Sequence, residues 1–100
     1  MTTADTSTTT NTTVVIKTPS MWKVMLRNDD FTSMEFVVQV LVHIFNKSVD
    51  EATTTMLLIH NTGQANVGLF TKDVALTKVN QTKSAAERYG HPLMAEASEA

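Results

Sequence analysis

Trp22-Lys23-Val24-Met25-Leu26-Arg27, then Asn28-Asp29-Asp30, then Thr32-Ser33-Met34-Glu35: the fold of this chain is read outward from here. Trp22, Val24 and Leu26 alternate with Lys23, Met25 and Arg27, the two-residue period of a strand buried on one face. Thr32 followed three residues later by Glu35 reads as a capping box, in which the hydroxyl takes the Glu35 amide and the carboxylate answers the Thr32 amide. A strand therefore passes through a short polar turn into a helix. Two adjacent carboxylates in that turn repel one another at neutral pH unless a proton, a metal ion or an ammonium answers them. With the Asn28 side chain beside them they form a candidate cation site, and at this level metal and ammonium are both open.

Downstream, the first helix carries Val37, Val40, Leu41, Ile44 and Phe45 at helical spacing and ends near Phe45. A second box, Ser48 with Glu51, opens a helix bearing Ala52, Met56 and Ile59, and Gly63 supplies its left-handed stop. From Gln64 to Phe70 the chain alternates Ala65, Val67 and Leu69 against Gln64, Asn66 and Gly68, a second strand in which Gly68 marks a close backbone approach. Thr71 caps a third helix whose apolar side comes from Val74, Ala75, Val79, Ala86 and Tyr89, interrupted by Thr82. Gly90 ends it before His91-Pro92. Residues 93–97 read as a third strand. The order β-α-α-β-α-β predicts an α+β domain: a small antiparallel three-stranded sheet with three helices packed against one face.

Composition sets the bounds. One hundred residues, 42% of them hydrophobic, allow one small domain with one core. A net charge of −2 with 18% charged residues lacks the basic excess that would draw a nucleic-acid backbone or an anionic membrane. No cysteine is present, so neither a disulfide framework nor a thiolate metal site is available. No apolar run approaches a membrane span and no export signal opens the chain, which fits a soluble cytoplasmic protein. Residues 1–20 are dominated by threonine and read as a disordered extension, because they offer too little apolar area to offset the entropy of ordering. The folded domain is expected over residues 21–100.

Met56, Ile59 and His60 lie within little more than one turn of the second helix, so an apolar wall and an imidazole share one side of it. If that side faces Asn28, a pocket results. Its floor is Met34, Val37, Met56, Ile59 and Leu93; its rim is Asn28, the Asp29 or Asp30 carboxylate, and a neutral His60 nitrogen. Such a site suits an ammonium attached to a hydrophobic side chain, and a free polypeptide N-terminus is that ligand. Taken singly, the parts have plainer roles: Asn and Asp favour turns, a histidine near a helix C-terminus partners the dipole, and methionines fill cores. It is their joint occurrence that points to a site. His43 and His91 are assigned no chemical role. A hydrolase would use Asp29, Asp30 and His60 as metal ligands or as an acid/base set. No second histidine stands at ligand spacing from His60, however, and no nucleophile motif or phosphate-cradling loop is present. Neither metal nor cofactor is called for.

Trp22-Lys23-Val24, Asn28-Asp29-Asp30-Phe31-Thr32, Met34-Glu35-Phe36-Val37, Glu51-Ala52-Thr53, Met56-Leu57-Leu58-Ile59-His60, Gly63-Gln64-Ala65, Thr77-Lys78-Val79 and His91-Pro92-Leu93 together resemble the ClpS family. Its members are adaptors that recognise N-degrons and hand their bearers to an AAA+ unfoldase coupled to a protease. The resemblance implies that Asn28, Asp29 and His60 hold the α-amino group of the substrate. It implies that Asp30, Thr32, Met34, Val37, Met56, Ile59 and Leu93 shape the side-chain pocket, with Met34 and Val37 narrowing it against β-branched residues. The implied substrates begin with Leu, Phe, Tyr or Trp. The implied partner is the N-terminal domain of a ClpA-type unfoldase, met by Asp73 and Lys78, and the implied role is non-catalytic. Leu76 stands where relatives often carry glutamate, Val67 where they carry cysteine, and Ser33 where they carry proline. A competing reading is an interaction module of the ribosomal-stalk C-terminal type, which would show no preference for free N-terminal amines.

Overall fold

The computed structural model of the protein describes residues 20–28 and 31–100. The expected disordered extension lies, apart from Ser20, outside the described residues, as do Asp29 and Asp30 of the acidic turn. In chain order the elements are β1 (Trp22–Arg27), α1 (Met34–His43), α2 (Val49–Thr62), β2 (Gln64–Phe70), α3 (Lys72–Tyr89) and β3 (Met94–Glu99). The β-α-α-β-α-β order read from the sequence is the order observed.

β1 is the central strand of the sheet β2-β1-β3, antiparallel to both neighbours. Val24 and Leu26 of β1, Ala65 and Val67 of β2 and Ala95 of β3 turn to one face and are buried there. The helices close that face with Val37, Val40 and Leu41 from α1, Ala52, Met56 and Ile59 from α2, and Ala75, Val79 and Ala86 from α3. Burial of a large aliphatic side chain such as Leu26, Leu41 or Ile59 contributes about 1.5–3 kcal/mol, and all three are almost fully enclosed.

Several local expectations are corrected. α1 is capped by Ser33, not Thr32: the Ser33 hydroxyl accepts from the Phe36 amide at 3.1 Å. Thr32 stands one residue before the cap and turns its side chain into the protein instead. α1 ends at His43 rather than near Phe45, because the Phe45 amide reaches back five residues to the Val40 carbonyl and widens the last turn. The chain then passes Asn46 at φ 57, in the left-handed region that asparagine tolerates.

On β2 the alternation breaks. Val24 pairs with Gly68 but Met25 pairs with Asn66, so Val67 is the extra residue of a bulge. Beyond the bulge the faces exchange, leaving Leu69 about half exposed and turning Phe70 inward against the core. Gly68 does have a close neighbour, but it is the Phe70 ring rather than backbone. A Cβ there would stand 2.6 Å from the ring.

In α3, Thr82 is fully buried within the apolar stripe rather than interrupting it, because its hydroxyl donates to the Lys78 carbonyl one turn back at 2.8 Å. Val74 and Tyr89, expected on the packed side, are exposed. Thr71 occupies the cap position of α3 without a side-chain cap bond. The second helix is as expected: Ser48 and Glu51 exchange both capping-box bonds, and Gly63 closes the helix at φ 90.

Candidate N-terminal amine site

Register positions the site. Arg27, the last residue of β1, pairs with Gln64 on one side and with Met94 on the other. The next residue, Asn28, is therefore flanked by Gly63, which ends α2, and by Leu93, which precedes β3. Its amide donates to the Gly63 carbonyl at 3.0 Å. Gly63 can turn that carbonyl toward β1 because it adopts a left-handed conformation, while its own amide still bonds Ile59 at 2.7 Å.

His60 lies in the last turn of α2, three residues before Gly63, and is exposed. The Asn28 backbone is thus tied to the residue that closes α2, one turn beyond His60. Gly63 is more than a helix stop: its carbonyl is also the anchor that holds Asn28 beside α2. The only sequence signal for this was the Gly63-Gln64 junction, where helix and strand meet without a linker.

Val37, Met56, Ile59 and Leu93, the expected floor, all belong to the core cluster, at 8% exposure or less. Met34, the first residue of α1, is 42% exposed and stands apart from that floor as its one accessible apolar member. Thr32 is buried with 7% exposure, and its hydroxyl has no protein hydrogen-bond partner. A buried hydroxyl left unpaired costs roughly 1–3 kcal/mol, so Thr32 is a polar point among buried residues. Asp29 and Asp30 flank this region in sequence. Among the described residues no group of three His, Cys, Asp or Glu converges as a metal site.

Asp73 and Lys78 sit elsewhere, on the first half of α3, where they line one shallow cleft with Val74, Thr77 and Gln81. Asp73 is exposed. Lys78 is partly buried and engaged: its ammonium donates to the Ile44 carbonyl at the end of α1 at 2.6 Å and lies over the Phe45 and Phe70 rings at 5.8 and 5.4 Å. A cation there answers the negative end of the α1 dipole.

The family model for the ATP-dependent Clp protease adaptor protein ClpS matches residues 17–96. The ClpS of Deinococcus radiodurans is 51% identical over 77 residues, covering 77% of this chain and 68% of that protein. The chain belongs to the ClpS family. The ClpS of Parvibaculum lavamentivorans is 53% identical over 77 residues, 77% of this chain and 70% of its own length, and that of Treponema denticola 52% over 75 residues, 75% and 74% respectively. Among solved structures, Agrobacterium tumefaciens ClpS2 bound to L-phenylalaninamide superimposes with a TM-score of 0.79 at 36% identity, covering 83% of this chain and all of that one. The resemblance read from the motifs is thus borne out for family and fold. As a ClpS-family chain, this protein is an adaptor of the Clp protease.

Proposed function

We propose that this ClpS-family chain binds proteins through a free N-terminal residue with a large hydrophobic side chain, Leu, Phe, Tyr or Trp, and delivers them to a ClpA-type unfoldase. The observation that carries the reading is the ligand of the similar structure. L-phenylalaninamide is chemically an N-terminal phenylalanine cut just after its first carbonyl, with a free α-amine and a neutral amide in place of a carboxylate. The arrangement here is compatible with the same chemistry: the Asn28 amide is bonded to Gly63 at the end of the helix that carries His60, and Val37, Met56, Ile59 and Leu93 belong to the apolar core.

In this reading Asn28, Asp29 and His60 take the three N–H donors of the ammonium. The side chain enters among Val37, Met56, Ile59 and Leu93, with Asp30 and Thr32 at its polar edge and Met34 as the gate. Burying the side chain contributes about 1.5–3 kcal/mol and each charge-assisted bond about 1.5–3 kcal/mol, which after ordering costs places affinity near micromolar, about −8 kcal/mol. The protein does no chemistry on its substrate, requires no cofactor and works in the cytoplasm. Among the described residues, no helix is long and apolar enough to cross a membrane.

Asp73 meets the N-terminal domain of the unfoldase, with Lys78 behind it. The folded adaptor domain spans residues 21–100, and the threonine-rich residues 1–20 serve the handover. Deleting residues 1–13 should then spare peptide binding and impair degradation.

The test of the binding reading is fluorescence anisotropy with peptides beginning Leu, Phe or Val, each free and N-acetylated. Free Leu and Phe peptides should bind, Val weakly and the acetylated forms not at all. Equal binding of acetylated peptides would refute it and favour a general interaction module.

A further inference from the structure

A second concave surface lies between α1 and α3, away from the amine site. Two overlapping lobes of about 570 and 590 Å³ share His43, Ile44, Ala85 and Tyr89. The gap exists because α3 turns short or polar residues toward α1. Thr77, Gln81, Ser84 and Ala85 recur at helical spacing and cannot fill the space opposite Phe36, Val40 and Ile44. Both ends are tied. At one end the Lys78 ammonium bonds the Ile44 carbonyl. At the other, the Phe36 ring meets His91 at 4.4 Å and Tyr89 at 6.0 Å between centroids.

The chemistry of the lining is one-sided. Among the described residues no aspartate or glutamate lines either lobe, although the chain carries net charge −2, while Arg88 stands on the rim. His91 Nδ1 is shielded from solvent and has no protein partner. The floor of Phe36, Val40, Ile44 and Ala85 wants an apolar side chain, and Arg88 wants a carboxylate beside it.

We propose that this groove docks an extended segment of a partner polypeptide that carries an aromatic or aliphatic residue next to an acidic one. The stretch of α3 from Thr77 to Arg88 is about 16 Å long at 1.5 Å per residue, a length spanned by about five extended residues. The groove requires no free N-terminus, so its occupant is independent of the N-terminal amine reading.

The probe is an N-acetylated, C-amidated peptide Ala-Leu-Phe-Glu-Ala, titrated into the ¹⁵N-labelled full chain and followed by amide shifts; acetylation keeps it out of the amine site. Shifts at Val40, Ile44, Ala85 and Arg88 are expected. Binding should be about tenfold weaker for the same peptide with Gln in place of Glu, and weaker still for the Glu peptide in Arg88→Glu, which adds repulsion. Arg88 is exposed, so the fold should tolerate the change. Gln39→Glu, which adds a carboxylate to the lining from α1, should weaken the Glu probe and leave the Gln probe unchanged. Absence of shifts along α1 and α3, shifts centred on Asn28 and Met34 instead, or equal affinity for the Glu and Gln probes would each overturn the proposal.

Discussion

Replacing Lys78 by methionine tests how α1 and α3 are held together. Methionine keeps an apolar stem of similar length and removes the charge. The bond to the Ile44 carbonyl is short, at 2.6 Å, and a hydrogen bond to a charged group contributes about 1.5–3 kcal/mol. The Phe45 and Phe70 rings beneath the ammonium add about 0.5–1 kcal/mol at a half-exposed position. Water can reach the freed carbonyl, and the methionine recovers some packing on the rings, so the net loss expected is about 2 kcal/mol. For a domain of this size that lowers Tm by about 8–16 °C and the urea midpoint by about 1–2 M with unchanged slope. Thermal and urea unfolding followed by circular dichroism measure both. A loss below about 0.5 kcal/mol, the range of ordinary surface substitutions, would refute the reasoning and mean that α1 ends without needing this cation. The same measurement bears on the proposed unfoldase contact: a Lys78 variant that fails in delivery has not been shown to lose a contact until its stability is known. Asp73→Asn, at an exposed position, is the cleaner test.

Asn28→Ala should weaken binding of every hydrophobic N-terminus by a similar factor, on the order of tenfold or more for a lost charge-assisted bond. Met34→Ala should instead relax discrimination and admit Val or Ile; competition anisotropy with a peptide panel separates a uniform loss from a changed ranking. Ser48→Ala removes the hydroxyl half of the α2 capping box and should cost about 0.5–2 kcal/mol in urea unfolding, with Thr at the same position restoring most of it. Gly68→Ala drives a methyl group into the Phe70 ring and should destabilise by about 1–3 kcal/mol; a neutral result would mean that the ring swings aside freely.

Much of this architecture could be read from the chain because its local signals agree with one another. Ser48 with Glu51 and the glycines at 63 and 90 mark helix ends by backbone rules that hold whatever packs around them. The misreadings share a different cause. Thr32 and Ser33 are both competent caps, and only the burial of Thr32 decides between them. A bulge at Val67 is invisible to a period-two count, so Leu69 was placed inward and Phe70 was not. Thr82 looks polar in a list of residues, yet a bond to its own helix backbone lets it sit in the core. For the proposed site, Asn28, Asp29, Asp30, Thr32, Met34, Val37, Met56, Ile59, His60 and Leu93 are all named from motif and spacing in the sequence. What it could not supply was the strand register that brings Leu93 and Gly63 to either side of Asn28. The α1–α3 groove is not legible in the chain because Thr77, Gln81 and Ser84 read as an ordinary polar helix face until α1 stands opposite them.

The bond from Asn28 to Gly63 has a consequence for how specificity can change. Asn28 and His60 rest on β1 and α2, clamped to each other by that bond, whereas Met34 rides on the start of α1 beyond the acidic turn. Under the proposed function, the demand for a free amine and the choice of side chain are therefore carried by separate supports. Substitutions at the head of α1 can retune which residues are accepted while the amine requirement is inherited intact, so substrate range in such an adaptor can drift without passing through a form that has lost its ability to tell a true N-terminus from an internal residue.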